Sequence, residues 1–518
     1  MNKRKALAIA VAIAVFLLLS WTDDHYWDEF FYLYSVLAHS PGELLRFEVQ
    51  TQHLPPGFFS EKLGHVVLLD VLTGILGGGE RSLHTIQLLY ALLVVGFVGA
   101  AYGLLRELLD DRGANHSALV LMFSPLALYL SFKVMSEVPA LLFVTLGSWA
   151  FVRSFRPGTP RSQYAWLGIA TAALALGMLF RVTMIVSFAG LGLALLLAGD
   201  ERFERRRLFG RLVLVGGAAV MMHLGVVKLA GGTVLLTGAH IHNVVSTHPP
   251  LQRMFALALF LQAFALLVPF AWNSHSGSKP WLPLVWLVAA ALPFLLGHEP
   301  RYYAPALVPL AMLAAAGLRG AAGLLYPKGW SYGWAVLLAA LVLFDRMVLI
   351  PLMPFEVTQR RLLEAFETVH ARHRDATYLV PWSSDYTLLR FAFPDANVVL
   401  CLTGSAGSRH GMTGGRNALS AADQWWVGGG HYVATDSALS AHPRPWYYIG
   451  WNRSPAAVRL QELLGHVGLE RLVLKGPRLH NHLEESWIWS DSSWRLTPLV
   501  RVAQYHVYEV TPHTQPGS

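Results

Sequence analysis

From Ala6 to Ile350 the chain is a succession of apolar runs, most of them close to the length of a bilayer-crossing helix. That one feature excludes ordinary soluble folds. A spanning helix needs about 20 mostly apolar residues, and no water inside the hydrocarbon satisfies an open backbone, so such runs are expected to be helices. Eleven candidate spans follow: 6–21, 82–105, 117–132, 137–152, 164–180, 182–198, 212–229, 254–272, 281–297, 302–318 and 332–350. Composition agrees, with 54% hydrophobic and 14% charged residues among 518, and a mean hydropathy of +0.43. The expected class is an α-helical polytopic membrane protein of about eleven transmembrane helices.

Orientation follows from where the cations fall. With the basic N-terminus Lys3-Arg4-Lys5 in the cytoplasm, the inner loops hold sixteen Lys and Arg, from Lys3 through Arg153, Arg156, Arg161, Arg202, Arg205, Arg206, Arg207 and Arg211 to Lys328. The outer loops hold a minority, among them Arg46, Lys62, Arg81, Lys133, Arg181 and Arg301. Cytoplasmic loops collect Lys and Arg, so the first segment is read as an uncleaved span and everything after Ile350 as extracytoplasmic. The expected location is the cell membrane, the inner membrane in a Gram-negative cell. The net charge of +8 is spent on these loops, and nucleic acid is not an expected partner. The single cysteine, Cys401, allows no intrachain disulfide and is read as a small buried hydrophobe.

Two regions are not simple loops. Residues 22–81 are long and partly apolar, and Phe58 to Leu76 could pass for a span, but inserting it would break the charge alternation. The segment is therefore read as interfacial helices anchored by Trp27, Phe30, Phe31, Tyr32 and Tyr34. The tail, 351–518, alternates strand-like runs (Tyr378 to Val380, Val398 to Leu402, Tyr432 to Ala434, Trp446 to Ile449, Leu472 to Leu474, Tyr505 to Val510) with helix-like ones such as Ser454 to Leu464. It is read as an α/β domain with a largely parallel sheet. The division is thus 1–350 for the membrane domain, including 22–81 as its first outer loop, and 351–518 for the extracytoplasmic domain. No nucleotide-binding fingerprint occurs, and "VGGGHY" at 427–432 reads as a turn.

Charge near a membrane is costly unless it pairs, meets water or does chemistry. Here it gathers at the outer ends: Asp23, Asp24, His25, Asp28 and Glu29 after the first span, His53, Glu137, Arg181, then His240, His242 and His248, then His298, Glu299 and Arg301. Asp23 and Asp24 read as solvated flanks. Asp28 and Glu29 suit a catalytic pair and equally the N-terminus of the following helix. Arg181 sits between two apolar runs with almost no loop; it either serves a site or snorkels. Together, carboxylates suit a general base, imidazoles a transition metal, and guanidinium groups a phosphate.

Four patterns on this side resemble the GT-C glycosyltransferases, specifically the protein-mannosyltransferase and aminoarabinose-transferase superfamily. "WDEFFYLYSVL" at 27–37 resembles the acidic motif of the first outer loop, and "HLPPGFF" its Pro-Pro-aromatic motif. "SEVPALLFVTLGSWAF" resembles the second acidic motif, and "HEPRYYAPALVPL" the late Arg-Tyr-x-x-Pro motif with Arg301, Tyr302 and Pro305. The resemblance implies a sugar, hexose or pentose, moved from a polyprenyl-phosphate donor to a lipid, glycan or protein acceptor outside the cytoplasm, without a nucleotide. Asp28 would be the general base, Glu29 its accessory or a metal ligand, and Glu137 would position the acceptor. Arg181, Arg301 and Tyr302 would bind the donor phosphate. A divalent metal on His53 with His240 or His242 is a further expectation. Two departures stand out: Phe31 and Leu54 occupy positions where relatives often carry a basic residue. The rival reading is a transporter or flippase of lipid-linked saccharides, which would call for polar groups at mid-membrane on broken helices and for two related halves.

Overall fold

A computed structural model describes residues 3–21, 24–25, 27–45, 59–198, 203–232, 257, 260–273, 281–294, 300–325, 333–349, 357–381, 383–401, 439–451, 488 and 493–512. The chain divides into two compact units. One comprises Met1–Trp21, Phe59–His65 and Gln87–Ile350; the other comprises Thr22–Phe58, Val66–Ile86 and Pro351–Ser518. The division differs from the one expected from sequence, because most of the first outer loop groups with the tail.

The first unit is helical. Its helices include Lys3–Ser20, Asp111–Met122, Glu137–Arg153, Pro160–Phe180, Ile185–Ala198, Arg205–Leu229, Trp281–Ala291, Leu307–Leu325 and Gly333–Phe344. Among the described residues four helices are long and apolar enough to cross a membrane by length and composition: Glu80–Leu108, Pro160–Phe180, Arg205–Leu229 and Arg301–Leu324. The membrane reading is visible in the burial pattern, which leaves large apolar side chains outward: Phe209, Val213, Leu214 and Met221 on the Arg205–Leu229 helix are 58 to 68% exposed. In a soluble protein such a face would be polar.

Several candidate spans depart from a single straight helix. The run 117–132 is split, because Ser124 caps a new short helix at Pro125–Leu130. Proline at the first helical position starts a helix well but cannot continue one from the preceding turn. The run 254–272 contains a 3-10 segment, Gln262–Asn273, with Pro269 inside it. Spans five and six are joined with almost no loop: the helix ends at Phe180, Arg181 is extended, and a 3-10 turn at Val182–Met184 leads directly into the next helix.

The second unit holds the sheet. Strands β1 (Asp24–His25) and β2 (Val357–Thr358) pair antiparallel. Strands β3 (Thr377–Val380), β4 (Asn397–Leu400), β5 (Trp446–Trp451), β6 (Trp494–Val502) and β7 (Tyr505–Pro512) form one sheet in the order β4-β3-β5-β7-β6. β3 is parallel to β4 and β5, whereas β7 is antiparallel to β5 and β6. The sheet is mixed, not largely parallel, because β6 and β7 are joined by a tight turn at Ala503, and a hairpin can only be antiparallel. The expected strands Tyr432 to Ala434 and Leu472 to Leu474 and the helix Ser454 to Leu464 lie outside the described residues. Cys401 is fully buried, as expected.

The helix Trp27–Ala38 belongs to this unit and packs on the tail helix Ser383–Ala392. The Tyr34 and Tyr386 hydroxyls are hydrogen-bonded at 3.1 Å and their rings meet edge to face. The expected interfacial anchors Phe30, Phe31, Tyr32 and Tyr34 are therefore core residues, at most 4% exposed. Burying four aromatic side chains against protein removes several hundred square ångströms from water, which outweighs an interfacial position for each. A later helix of the first outer loop, Leu63–Leu76, is 14 residues long, about 21 Å and too short to span. It keeps Val67, Val71 and Ile75 exposed.

Deep in the same unit the Trp451 indole donates to Asp385 Oδ2 at 3.1 Å. Burial pushes the Asp385 carboxyl up to about 8, against the opposing pull of Trp451 and Tyr505. Its folded value lies above its unfolded value, so this contribution to stability is full below about pH 4. It is lost at about 1.4 kcal/mol per pH unit as pH rises toward the folded value. Asp385→Asn, which keeps the acceptor for Trp451, is expected to flatten the fall of the unfolding temperature from about pH 5 to 8. An unchanged pH slope in calorimetry would remove Asp385 as its source.

Candidate active site

The site grows from a close helix pair. Gly177, on the Pro160–Phe180 helix, lies where a Cβ would meet Val144 Cγ2 at 2.7 Å, the Val144 nitrogen at 3.1 Å and the Ala140 carbonyl at 3.3 Å. Gly147 faces Leu174 in the same way, with a Cβ 2.7 Å from its Cγ. Small residues at such crossings let two backbones approach. The start of one helix and the end of the other are thereby brought together, and these carry Glu137 and Arg181. Gly177→Val is expected to force the pair apart and destabilise the fold by about 1–3 kcal/mol. A thermal-unfolding shift confined to measurement error would show that the crossing tolerates the added volume.

Glu137 is the first residue of its helix and is 1% exposed. Its Oε1 lies 2.9 Å from Arg181 Nη1 and 3.7 Å from Arg301 Nε. Ser136 Oγ donates to Oε2 at 3.2 Å and accepts from Arg181 Nη1 at 3.4 Å. Arg181 lies here because the helix stops one residue earlier: its backbone is extended and its N–H returns to the Gly177 carbonyl. Arg301 enters from the 3-10 turn Pro300–Ala306 ahead of the Leu307–Leu325 helix. The Tyr302 ring lies 5.6 Å from both guanidinium carbons, within cation–π range. Tyr303, fully buried, stacks on Phe260 and fixes the turn.

Sequence reasoning missed a second group at this end. Lys62 is 8% exposed and lies within electrostatic range of Glu137, as does His65. Glu61 interacts with both Lys62 and Arg181. His65 Nδ1 is hydrogen-bonded to the Tyr90 hydroxyl at 3.0 Å. Gly64 helps seat this turn, with a Cβ there 3.2 Å from the Leu179 backbone. The one available signal was the pair Glu61-Lys62 opening an otherwise apolar run. Lys62 also bears on the missing basic residue at Leu54: a buried cation eight residues further on contributes to the field at Glu137. Among the described residues three cations, Arg181, Arg301 and Lys62, face two carboxylates, Glu61 and Glu137.

Of the other expected site residues, Glu29 is fully buried in the second unit, on the helix that also carries Asp28. The Asp28 side chain and all of His53, His240 and His242 lie outside the described residues. No group of three His, Cys, Asp or Glu residues suited to a metal occurs among the described residues.

Solved structures share this fold. ArnT from Cupriavidus metallidurans bound to undecaprenyl phosphate matches over 98% of this chain and 98% of its own, with a TM-score of 0.56 at 12% identity. The chain has the GT-C fold. The apo state of the same ArnT gives a TM-score of 0.56 at 13% identity over the same shares. An Archaeoglobus fulgidus oligosaccharyltransferase tethered with an acceptor peptide matches 89% of this chain and 72% of its own, at 12% identity and a TM-score of 0.49. The model of the dolichyl-phosphate-mannose-protein mannosyltransferase family matches residues 64–226. That stretch contains Glu137, Arg181 and the glycine crossing that joins them. No curated protein matches the sequence.

Proposed function

We propose that the protein is a membrane glycosyltransferase that takes a hexose or pentose from a polyprenyl-phosphate donor and passes it to an acceptor hydroxyl outside the cytoplasm. The observation that carries this reading is the buried Glu137–Arg181–Arg301 group, which sets two guanidinium groups on one carboxylate where the helices end. A lipid monophosphate is an anion that reaches such a place from within the bilayer. Arg181 and Arg301, oriented over Tyr302, stabilise the phosphate as it leaves; in a site of low dielectric such preorganised charge is often the largest catalytic contribution. Glu137 holds the two guanidinium groups in position, and we assign it this role in place of acceptor binding.

In the transfer the acceptor oxygen attacks the anomeric carbon and the carbon–oxygen bond to phosphate breaks. The bonding pair leaves with the polyprenyl phosphate, and Asp28 takes the acceptor proton. A divalent metal on His53 and His240 or His242 would add Lewis acidity to the leaving group, and no step above depends on it. The N-terminus lies in the cytoplasm and the tail domain outside it; in a Gram-negative cell the membrane would be the inner one. A transporter of lipid-linked saccharides is the rival; it would call for polar groups at mid-membrane on broken helices, whereas the charges brought together here lie at helix ends. The test is reconstitution with a radiolabelled polyprenyl-phosphate sugar and cell-envelope acceptors. Release of polyprenyl phosphate with label moving to an acceptor is expected; labelled donor crossing the bilayer intact would replace the enzyme by a flippase.

A further inference from the structure

The helices that deliver Glu137 and Arg181 also have opposite ends. Seventeen residues of helix place Arg153 about 24 Å along the axis from Glu137. There the chain gathers cations again. Residues 153–163 and 200–211 together contain eight arginines against Asp200, Glu201 and Glu204. Arg153 and Arg156 are paired with the buried Glu107, at 3.0 and 2.5 Å. The arginines of the next helix are arranged differently. Arg207 Nη2 and Arg211 Nη2 both donate to one neutral oxygen, Gln163 Oε1, at 2.6 and 2.9 Å. The Gln163 amide is turned toward them by its own bond to the Arg156 carbonyl at 3.4 Å. Arg211 is anchored further by the Ser154 carbonyl at 2.9 Å, and its guanidinium lies over the Phe155 ring at 4.6 Å.

Two like charges converging on an amide repel each other, and no carboxylate among the described residues pairs with either. A guanidinium has five N–H donors, so both retain donors for an added anion. Arg161, Arg205 and Arg206 are exposed beside them, as are the apolar side chains Tyr164 and Phe209, 70 and 60% exposed. Basic groups at the foot of an apolar, outward-facing helix surface suit a ligand that is both anionic and embedded in lipid.

We propose that Arg207, Arg211 and Gln163 form a binding site for the phosphate headgroup of an anionic phospholipid in the leaflet opposite the candidate active site. Arg207 and Arg211 grip the phosphate, Gln163 sets their spacing, and the acyl chains lie along Phe209 and Val213. The site is separate from the donor site and does not depend on the proposed glycosyl transfer.

The test uses the full chain in phosphatidylcholine nanodiscs, with and without cardiolipin, and with inorganic phosphate added as a third condition. Lipid retention is read by native mass spectrometry and stability by thermal unfolding. Cardiolipin is expected to be retained and to raise the unfolding temperature, whereas inorganic phosphate and phosphatidylcholine do neither. Arg207→Gln with Arg211→Gln should weaken cardiolipin retention about thirtyfold. Gln163→Glu is the control for folding: it places a carboxylate between the guanidinium groups, so the unfolding temperature in phosphatidylcholine should hold or rise while the cardiolipin effect disappears. Equal retention of cardiolipin by wild type and both variants would overturn the site, and so would a stabilisation by inorganic phosphate matching that by cardiolipin.

Discussion

Asp28→Asn is expected to lower glycosyl transfer by about 10²- to 10⁴-fold, the usual range for loss of a positioned general base. The substitution keeps the size of the side chain and a hydrogen-bond acceptor but cannot take the proton that the acceptor hydroxyl must lose. The loss should fall on kcat, with the KM for the polyprenyl-phosphate sugar little changed, because the proposed function gives the donor phosphate to Arg181 and Arg301. The helix carrying Asp28 is fixed from both sides of its sequence: β1 pairs with β2, and Tyr34 is tied to Tyr386. An unchanged unfolding temperature therefore reports that the helix has stayed in place. Undiminished transfer by such a folded variant would take the base role from Asp28. Glu29→Gln offers the contrast. Glu29 is fully buried, and its replacement is expected to act on stability before it acts on rate.

Glu137→Gln is expected to cost about 3–5 kcal/mol of stability, since removing one member of a buried ionic group leaves its partners uncompensated. Arg181 at 2.9 Å, Arg301 at 3.7 Å and Lys62 would then face one another with less negative charge between them. The kinetic consequence has a definite direction. A more positive site holds the lipid phosphate more tightly in the ground state, so polyprenyl phosphate should inhibit more strongly while kcat falls. Ground-state binding that tightens as turnover drops marks lost positioning and not lost affinity. Combining Glu137→Gln with Arg181→Gln should recover part of the stability, because the second change removes one of the orphaned charges. Strictly additive losses in the double variant would mean that the two side chains do not act as a pair.

Much of this protein is legible in the chain. The apolar runs and the loops rich in arginine establish a multi-pass membrane protein, since hydropathy and loop charge are local and nearly additive properties that need no knowledge of neighbours. Two of the four motifs pointed to Glu137, Arg301 and Tyr302, and the near-absence of a loop pointed to Arg181, before any of them had a position in space. Partnership was not legible. Glu137 and Arg181 are 44 residues apart, and they meet because Gly147 and Gly177 let two helices close to backbone contact. Lys62 looked like an ordinary loop cation, and only burial beside Glu61 and Glu137 makes it part of the same electrostatic group.

The aromatic run from Phe30 to Tyr34 shows the same boundary from the other side. Amphipathic rings next to a span suit a membrane interface as well as they suit a core. A tail helix from 383–392, more than three hundred residues away, decides for the core by covering them. The sequence by itself determined what this chain must dissolve in and which residue types stand at each end of its helices. The tertiary structure alone decided which charges neutralise one another, because Coulomb energy and desolvation depend on distance and burial between segments, and no local window of sequence contains either.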